Sequence, residues 1–248
     1  MPRSLSVGSI LGISIGIHWT WLLVFGLVIW SLAATFFPTA YADWSIVTYW
    51  ATATVSAALL LASVLIHELG QALVARSRGL PARNLTLFVF GGVSNVQEQV
   101  KTPASELLLA GVGPLISVAL GVLFSFLYLL LQGVSEQMAA IVVTLGVGNL
   151  LIGLLNLVPG LPLDGGRLLR SILWFLSESR ERATRVALQA GRIVGWGLVL
   201  AGLVIGMVYS LLGGAWLVLG GWCVASVAGP KYLAVVRDQE GGRDDGGR

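Results

Sequence analysis

The alternation of hydrophobic and polar positions divides the chain into six long apolar runs joined by short polar connections. A helix that crosses the hydrocarbon core of a bilayer needs about 20 mainly apolar residues. The sequence therefore predicts an all-α polytopic membrane protein with six transmembrane helices. The runs are His18–Phe37, Ile46–Val74, Glu106–Leu131, Gln137–Val158, Val186–Leu212 and Ala215–Ala228, of which the last is the shortest.

A different pattern follows the second run, in "NLTLFVFGGVSNVQEQ" at residues 84–99. This stretch is rich in β-branched and aromatic residues and contains Gly91-Gly92, a pair that suits a tight turn because both positions tolerate positive φ. It predicts a small β-hairpin element after the second helix, with the turn at the two glycines. Two interpretations remain open: a plain surface hairpin, or an edge that receives an extended peptide by strand addition.

The composition supports a membrane protein. The chain has 248 residues, of which 56% are hydrophobic and 11% charged, and its mean hydropathy is +0.87. A soluble domain carries about 25% charged residues, so the composition excludes that class. No clustered basic stripe appears outside the loops, and we expect no nucleic-acid partner.

The charges in the connections indicate an orientation. Lys and Arg follow the second, fourth and sixth runs, whereas the other connections contain neither. The positive-inside rule then predicts a multi-pass protein of the cell membrane with both termini in the cytoplasm. An even number of spans requires both termini to lie on one side, so the count agrees with the charges. We expect residues 1–229 to form the membrane domain, and residues 230–248, which are polar and Gly-rich, to form a disordered cytoplasmic tail.

Candidate chemistry begins with "HELGQ", residues 67–71, at the end of the second run. Residues four apart share one face of a helix, and His-Glu-x-x-His uses that spacing to bind zinc, with the Glu as general base. Here the fifth place holds Gln71. An ionisable pair at membrane depth is costly and indicates function, although His67 and Glu68 would also suit a solvated helix end or an ion pair.

A second polar group lies in "NLVPGLPLDGG", residues 156–166. Pro159 and Pro162 end the fourth helix, and Asp164 follows in an apolar context where a carboxylate needs a cation or hydrogen-bond donors. The predicted topology places Asp164 and His67 at similar depth on one side of the membrane. The alternative is that Asp164 caps a helix that begins at Arg167.

Five segments, in this order, resemble the site-2 protease family of intramembrane zinc metalloproteases. The resemblance covers most of the chain. The segments are "GISIGIHWTW", similar to the beginning of that family's first helix; "HELGQALVARSRG", similar to its zinc helix; "FVFGGVS", similar to its membrane-associated strand; "PASELLLAGVGPLIS", similar to the start of its next helix; and "NLVPGLPLDGG", similar to its Asn-x-x-Pro and Leu-Asp-Gly motif.

The resemblance implies a catalytic core at about residues 46–176 and a role for each matching position. His67 and Asp164 would bind one zinc ion per chain, Glu68 would be the general base, and Asn156 would lie near the scissile peptide. The implied partners are transmembrane protein substrates in a lipid bilayer, among them membrane-tethered regulatory proteins.

Gln71 departs from the family pattern at a zinc ligand. Zinc sites use Cys, His, Asp and Glu, whereas amide oxygens suit harder ions, so a site that includes Gln71 would be weak. Three interpretations remain: an active protease with an altered site, a pseudoprotease that binds membrane segments without cutting them, or a residue that departs from the natural sequence. The other histidine, His18, either compensates or is an interfacial neighbour of Trp19 and Trp21.

A hypothesis from a different class is a small ion or proton transporter that uses Glu68 and Asp164 as intramembrane ionisable groups. Ion flux in reconstituted vesicles without proteolysis would favour it.

Overall fold

The computed structural model describes residues 4–82, 84–88, 91–93 and 100–227, so the predicted tail at 230–248 lies outside the described residues. The chain divides into two compact units. The first comprises Met1–Val100 and Val112–Leu154, and the second comprises Lys101–Gly111 and Leu155–Arg248.

Helices dominate the described part of the chain. Their bounds are α1 Trp19–Ser31, which continues through a π-helical turn at Leu32–Phe36 into α2 Phe37–Ala40, then α3 Ile46–Ser77, α4 Pro103–Leu131, α5 Glu136–Asn156, α6 Asp164–Ser177, α7 Arg180–Val208 and α8 Leu211–Val227.

Five stretches of the described chain are long and apolar enough to cross a bilayer, namely the continuous helix Trp19–Ala40 and α3, α4, α5 and α7. Large apolar side chains are exposed along them, as on α4, where Leu115, Phe126 and Leu129 are 69%, 58% and 61% exposed. Such faces suit lipid rather than water. The chain is therefore a multi-pass membrane protein. The sixth predicted span is an apolar helix of 17 residues, shorter than the other five.

A four-stranded sheet belongs to the first unit, in the order β1-β2-β3-β4. Its strands are β1 Ser4–Ile10, β2 Ile13–His18, β3 Asn84–Phe88 and β4 Gly91–Val93. The pairs β1–β2 and β3–β4 are antiparallel, whereas β2 and β3 run parallel.

One element of this region was not predicted, and one prediction about the region is wrong. No strand was predicted before α1, but the segment forms β1 and β2. In β2, Ile13, Ile15 and Ile17 alternate with period two, and Ile13 and Ile15 are buried. The Gly91-Gly92 pair is not the hairpin turn. Both glycines lie in β4, opposite Phe88 and Leu87, and residues 89–90 between the strands lie outside the described residues.

In the second unit, α7 and α8 approach closely through glycines. A Cβ added at Gly195, Gly202, Gly214 or Gly221 would lie 2.4–2.7 Å from backbone atoms of the facing helix, for example 2.4 Å from the Gly202 carbonyl oxygen at Gly214. The two helices can approach this closely only because glycine has no Cβ atom. Small residues allow membrane helices to pack in this way.

Helix α6 has its polar face buried and its apolar face exposed. Arg167, Arg170 and Ser171 are 2–3% exposed, whereas Phe175 and Leu176 are 75% and 72% exposed. The preceding helix α5 ends at Asn156, before Pro159 and Pro162, as predicted from the proline positions, and α6 begins after these two prolines. Its N-cap residue is Leu163, so the alternative in which Asp164 caps a helix from Arg167 is wrong.

Candidate metal centre

The end of α3 brings His67 and Gln71 together. The two residues lie one helical turn apart, are 3% and 9% exposed, and their Nε2 atoms are 3.2 Å apart. The four-residue spacing predicted that these two side chains share one face of the helix, and their direct contact confirms this. Glu68, the next residue along α3, is half-buried.

Helix α4 contacts the Nδ1 side of the His67 ring. The Oγ atom of Ser117, which is completely buried, lies 2.9 Å from His67 Nδ1. A neutral imidazole that donates from Nδ1 to this hydroxyl carries its lone pair on Nε2, the nitrogen that faces Gln71. That tautomer is the one a metal ligand needs, and hydrogen bonds of this kind orient ligating histidines in metal sites.

Gly113 lets α4 lie against this pair. A Cβ at position 113 would lie 2.3 Å from His67 Nε2 and 2.5 Å from Gln71 Nε2. Any larger residue would therefore occupy the space in front of the candidate ligand atom. Sequence reasoning assigned no role to Gly113 or Ser117, although their four-residue spacing in "GPLIS" places both on one face of α4.

Asp164 is the first residue of α6 and is 7% exposed. Its Oδ1 accepts a hydrogen bond of 2.9 Å from Nη1 of Arg167, one turn further along the helix. Because that pair is buried, the arginine supplies the donor that the apolar context requires. Arg167 was predicted as a loop charge and as the possible start of this helix, but its pair with Asp164 was not predicted.

Asn156 and His18 are the two remaining residues that were considered for the site. Asn156 is the last residue of α5 and is half-buried. His18 is the N-cap of α1, where its Nδ1 accepts from the Thr20 backbone N–H at 3.4 Å, and its ring lies 5.7 Å from that of Trp19.

His67, Gln71 and Ser117 belong to the first compact unit, whereas Asn156 and Asp164 belong to the second. Among residues 4–82, 84–88, 91–93 and 100–227, no three His, Cys, Asp or Glu side chains form a ready-made cluster. The chemistry of the donors nevertheless fits zinc, because a neutral imidazole and a carboxylate are both ordinary zinc ligands. The Gln71 amide is the weak member of the set.

Comparisons with known proteins agree on one family. A model described as Peptidase family M50 matches residues 55–140 and 134–198. The chain is 40% identical over 241 residues to "Putative zinc metalloprotease Rip3" of Mycobacterium tuberculosis, covering 96% of this chain and 61% of that protein. It is 35% identical to "Putative zinc metalloprotease sll0528" of Synechocystis sp., with 96% and 62% covered. This chain thus spans about three-fifths of the length of these relatives.

A solved structure supports the same relationship. The site-2 protease from Methanocaldococcus jannaschii superposes with a TM-score of 0.61 at 28% sequence identity, over 90% of this chain and 95% of that one. The family model alone covers residues 55–198, more than half of the 248 residues. The chain therefore belongs to peptidase family M50, the site-2 protease family.

Proposed function

We propose that this protein is an intramembrane zinc metalloendopeptidase. The observation that carries the proposal is the buried His67 ring, whose Nδ1 lies against Ser117 and whose Nε2 faces the Gln71 amide. A histidine at a solvated helix end would not be buried together with partners such as Ser117 and Gln71. The relatives' names, which describe zinc metalloproteases, support a protease rather than a transporter.

Three side chains would hold the zinc: His67 through Nε2, Asp164 through its carboxylate, and Gln71 through its amide oxygen. The amide must turn over for this, so that its oxygen rather than its nitrogen faces the ion. Zinc, when bound, supplies a Lewis acid that polarises a peptide carbonyl and acidifies water. Because Gln71 is a poor zinc ligand, we expect weaker binding than two histidines would give.

The chain's own residues would carry the proton. Glu68 accepts a proton from the water that attacks the scissile carbonyl carbon, and then gives it to the nitrogen of the leaving amine as the C–N bond breaks. Asn156 donates a hydrogen bond to the scissile carbonyl oxygen and stabilises the negative charge that develops there. Hydrolysis consumes one water and returns Glu68 to its carboxylate form.

The proposed substrates are transmembrane segments of membrane-tethered regulatory proteins. In a helix each peptide carbonyl is already hydrogen-bonded, so such a segment must become extended before it is cut. Strand β4 lies at the edge of the four-stranded sheet. An extended substrate would pair with that edge through backbone hydrogen bonds.

The experiment measures cleavage of a membrane-tethered reporter by the protein in proteoliposomes. Glu68→Gln is expected to abolish cleavage while the protein still unfolds at the same temperature and still binds zinc. Cleavage that survives Glu68→Gln would contradict the assigned base. Substrate binding without cleavage by the unaltered chain would instead identify a pseudoprotease.

A further inference from the structure

The buried face of α6 carries a second ion pair, which the proposed chemistry does not use. Both Nε and Nη2 of Arg170 donate to Oε1 of Glu106, with Nε at 2.9 Å. Glu106 is 1% exposed and Arg170 2% exposed, and both lie in the second compact unit. The pair therefore joins the first turns of α4 to the middle of α6.

A second contact joins the same two helices. Ser171 Oγ donates to the carbonyl oxygen of Pro103, the first residue of α4, at 3.0 Å. Two contacts from adjacent residues of α6 to the start of α4 oppose both sliding and rotation of α6. Asp164 is on that same helix, about 9 Å along its axis from Arg170.

Stability alone does not account for the pair. The free-energy cost of removing two charges from water is often larger than the gain from their attraction inside the protein. A well-packed pair of apolar residues at the same place is often at least as stable. Oε2 of Glu106 is buried and accepts no hydrogen bond from the described residues, so part of the cost is uncompensated. A buried pair of this kind is better suited to fixing one arrangement of two helices, since only one register lets the charges meet.

Metal binding is sensitive to that arrangement. Side chains lie about 5–6 Å from a helix axis, so turning α6 by 20° would move the Asp164 carboxylate by about 2 Å. Zinc–ligand distances are held within about 0.2 Å, a tenfold smaller tolerance. Helix α6 therefore needs an anchor if Asp164 is to serve as a ligand.

We propose that Glu106 and Arg170 are positioning residues that fix α6 so that the Asp164 carboxylate reaches the metal. This inference rests on the proposed role of Asp164 in binding zinc. Arg167 contributes locally by engaging Oδ1 of Asp164, and the Glu106–Arg170 pair sets the rotation of the whole helix.

The test measures zinc affinity by chelator competition in the Gln71→His protein. Glu106→Gln is expected to weaken zinc binding by about 10–100-fold, the effect typical of residues that orient ligands. The matched control is Glu181→Gln, which breaks the Glu181–Arg185 pair on α7, where the side chains are 32% and 50% exposed. Zinc affinity should stay within twofold there.

Two further variants separate positioning from simple stability. Arg170→Lys keeps the charge but loses the two-nitrogen contact and should give an intermediate loss. The exchanged pair Glu106→Arg with Arg170→Glu should recover part of the zinc affinity. In the metal-free protein, Glu106→Gln should also speed amide hydrogen exchange at residues 164–170.

Two results separate failure of the positioning role from failure of the proposed zinc site. If Asp164→Ala abolishes zinc binding while Glu106→Gln and Arg170→Lys leave both affinity and exchange unchanged, the positioning role is overturned and the zinc site stands. If Asp164→Ala leaves zinc affinity unchanged, the proposed site is wrong and the positioning role falls with it.

Discussion

At the scale of single residues, the candidate centre depends on how the two nitrogens of the His67 ring are engaged. One faces a buried serine and the other faces the Gln71 amide. The spacing in "HELGQ" was enough to predict that His67 and Gln71 share a face, because a helix has a fixed repeat. Ser117 is 50 residues away from His67, so its contact depends on packing between helices, which sequence spacing does not encode.

Gln71→His should strengthen zinc binding at least tenfold, because an imidazole is an ordinary zinc ligand and an amide oxygen is not. Chelator competition on the purified protein measures the change. Gln132→His, at an exposed position after α4, serves as the control and should leave zinc affinity unchanged. An equal gain in both variants would indicate that added histidines bind zinc at the surface.

Ser117→Ala should lower zinc affinity about 10–100-fold, since the imidazole loses the group that holds its tautomer and orientation. Ser125→Ala, about two turns further along α4, is the matched control. Unchanged zinc affinity in Ser117→Ala would show that packing alone orients His67.

At the scale of elements, hydropathy predicted the long helices well, because a run of about 20 apolar residues has few alternatives to a membrane helix. The predicted Ile46–Val74 and Glu106–Leu131 correspond to Ile46–Ser77 and Pro103–Leu131. The sheet was harder to predict. The stretch at residues 84–99 was predicted to form strands, but β2 was not predicted, because its parallel partner β3 lies about 70 residues later in the chain.

Gly113→Ala should push α4 away from α3, since its Cβ would lie 2.3 Å from His67 Nε2. We expect a loss of about 1–3 kcal/mol in the free energy of unfolding, as for other overpacked sites, together with loss of zinc binding. Gly197→Ala in α7 is the control, since no atom lies within 4 Å of the added Cβ. Equal unfolding free energies for the two variants would contradict the close packing at Gly113.

At the scale of the whole molecule, the number of membrane crossings depends on α8. Its 17 residues make about 26 Å of helix, slightly less than the hydrocarbon thickness of about 30 Å. The charge pattern predicts that α8 crosses the membrane, because Lys231 and Arg237 follow it. A short hydrophobic helix crosses by local thinning of the bilayer at modest cost.

A reporter fused after residue 248 should therefore lie in the cytoplasm. Green fluorescent protein exported by the general secretory route does not become fluorescent, whereas alkaline phosphatase is active only outside, so the two fusions give opposite signals. Fluorescence without phosphatase activity is the expected result. The reverse pattern would mean that the chain crosses the membrane an odd number of times if its N-terminus is cytoplasmic.

The proposal that His67 and Asp164 bind one zinc ion is tested most directly by the zinc content of the Gln71→His protein with and without Asp164→Ala. Mass spectrometry of the purified protein should find about one zinc per chain, and less than a tenth of that after Asp164→Ala or His67→Ala. Glu181→Ala should keep the full content. A protein that retains its zinc after Asp164→Ala would contradict the account.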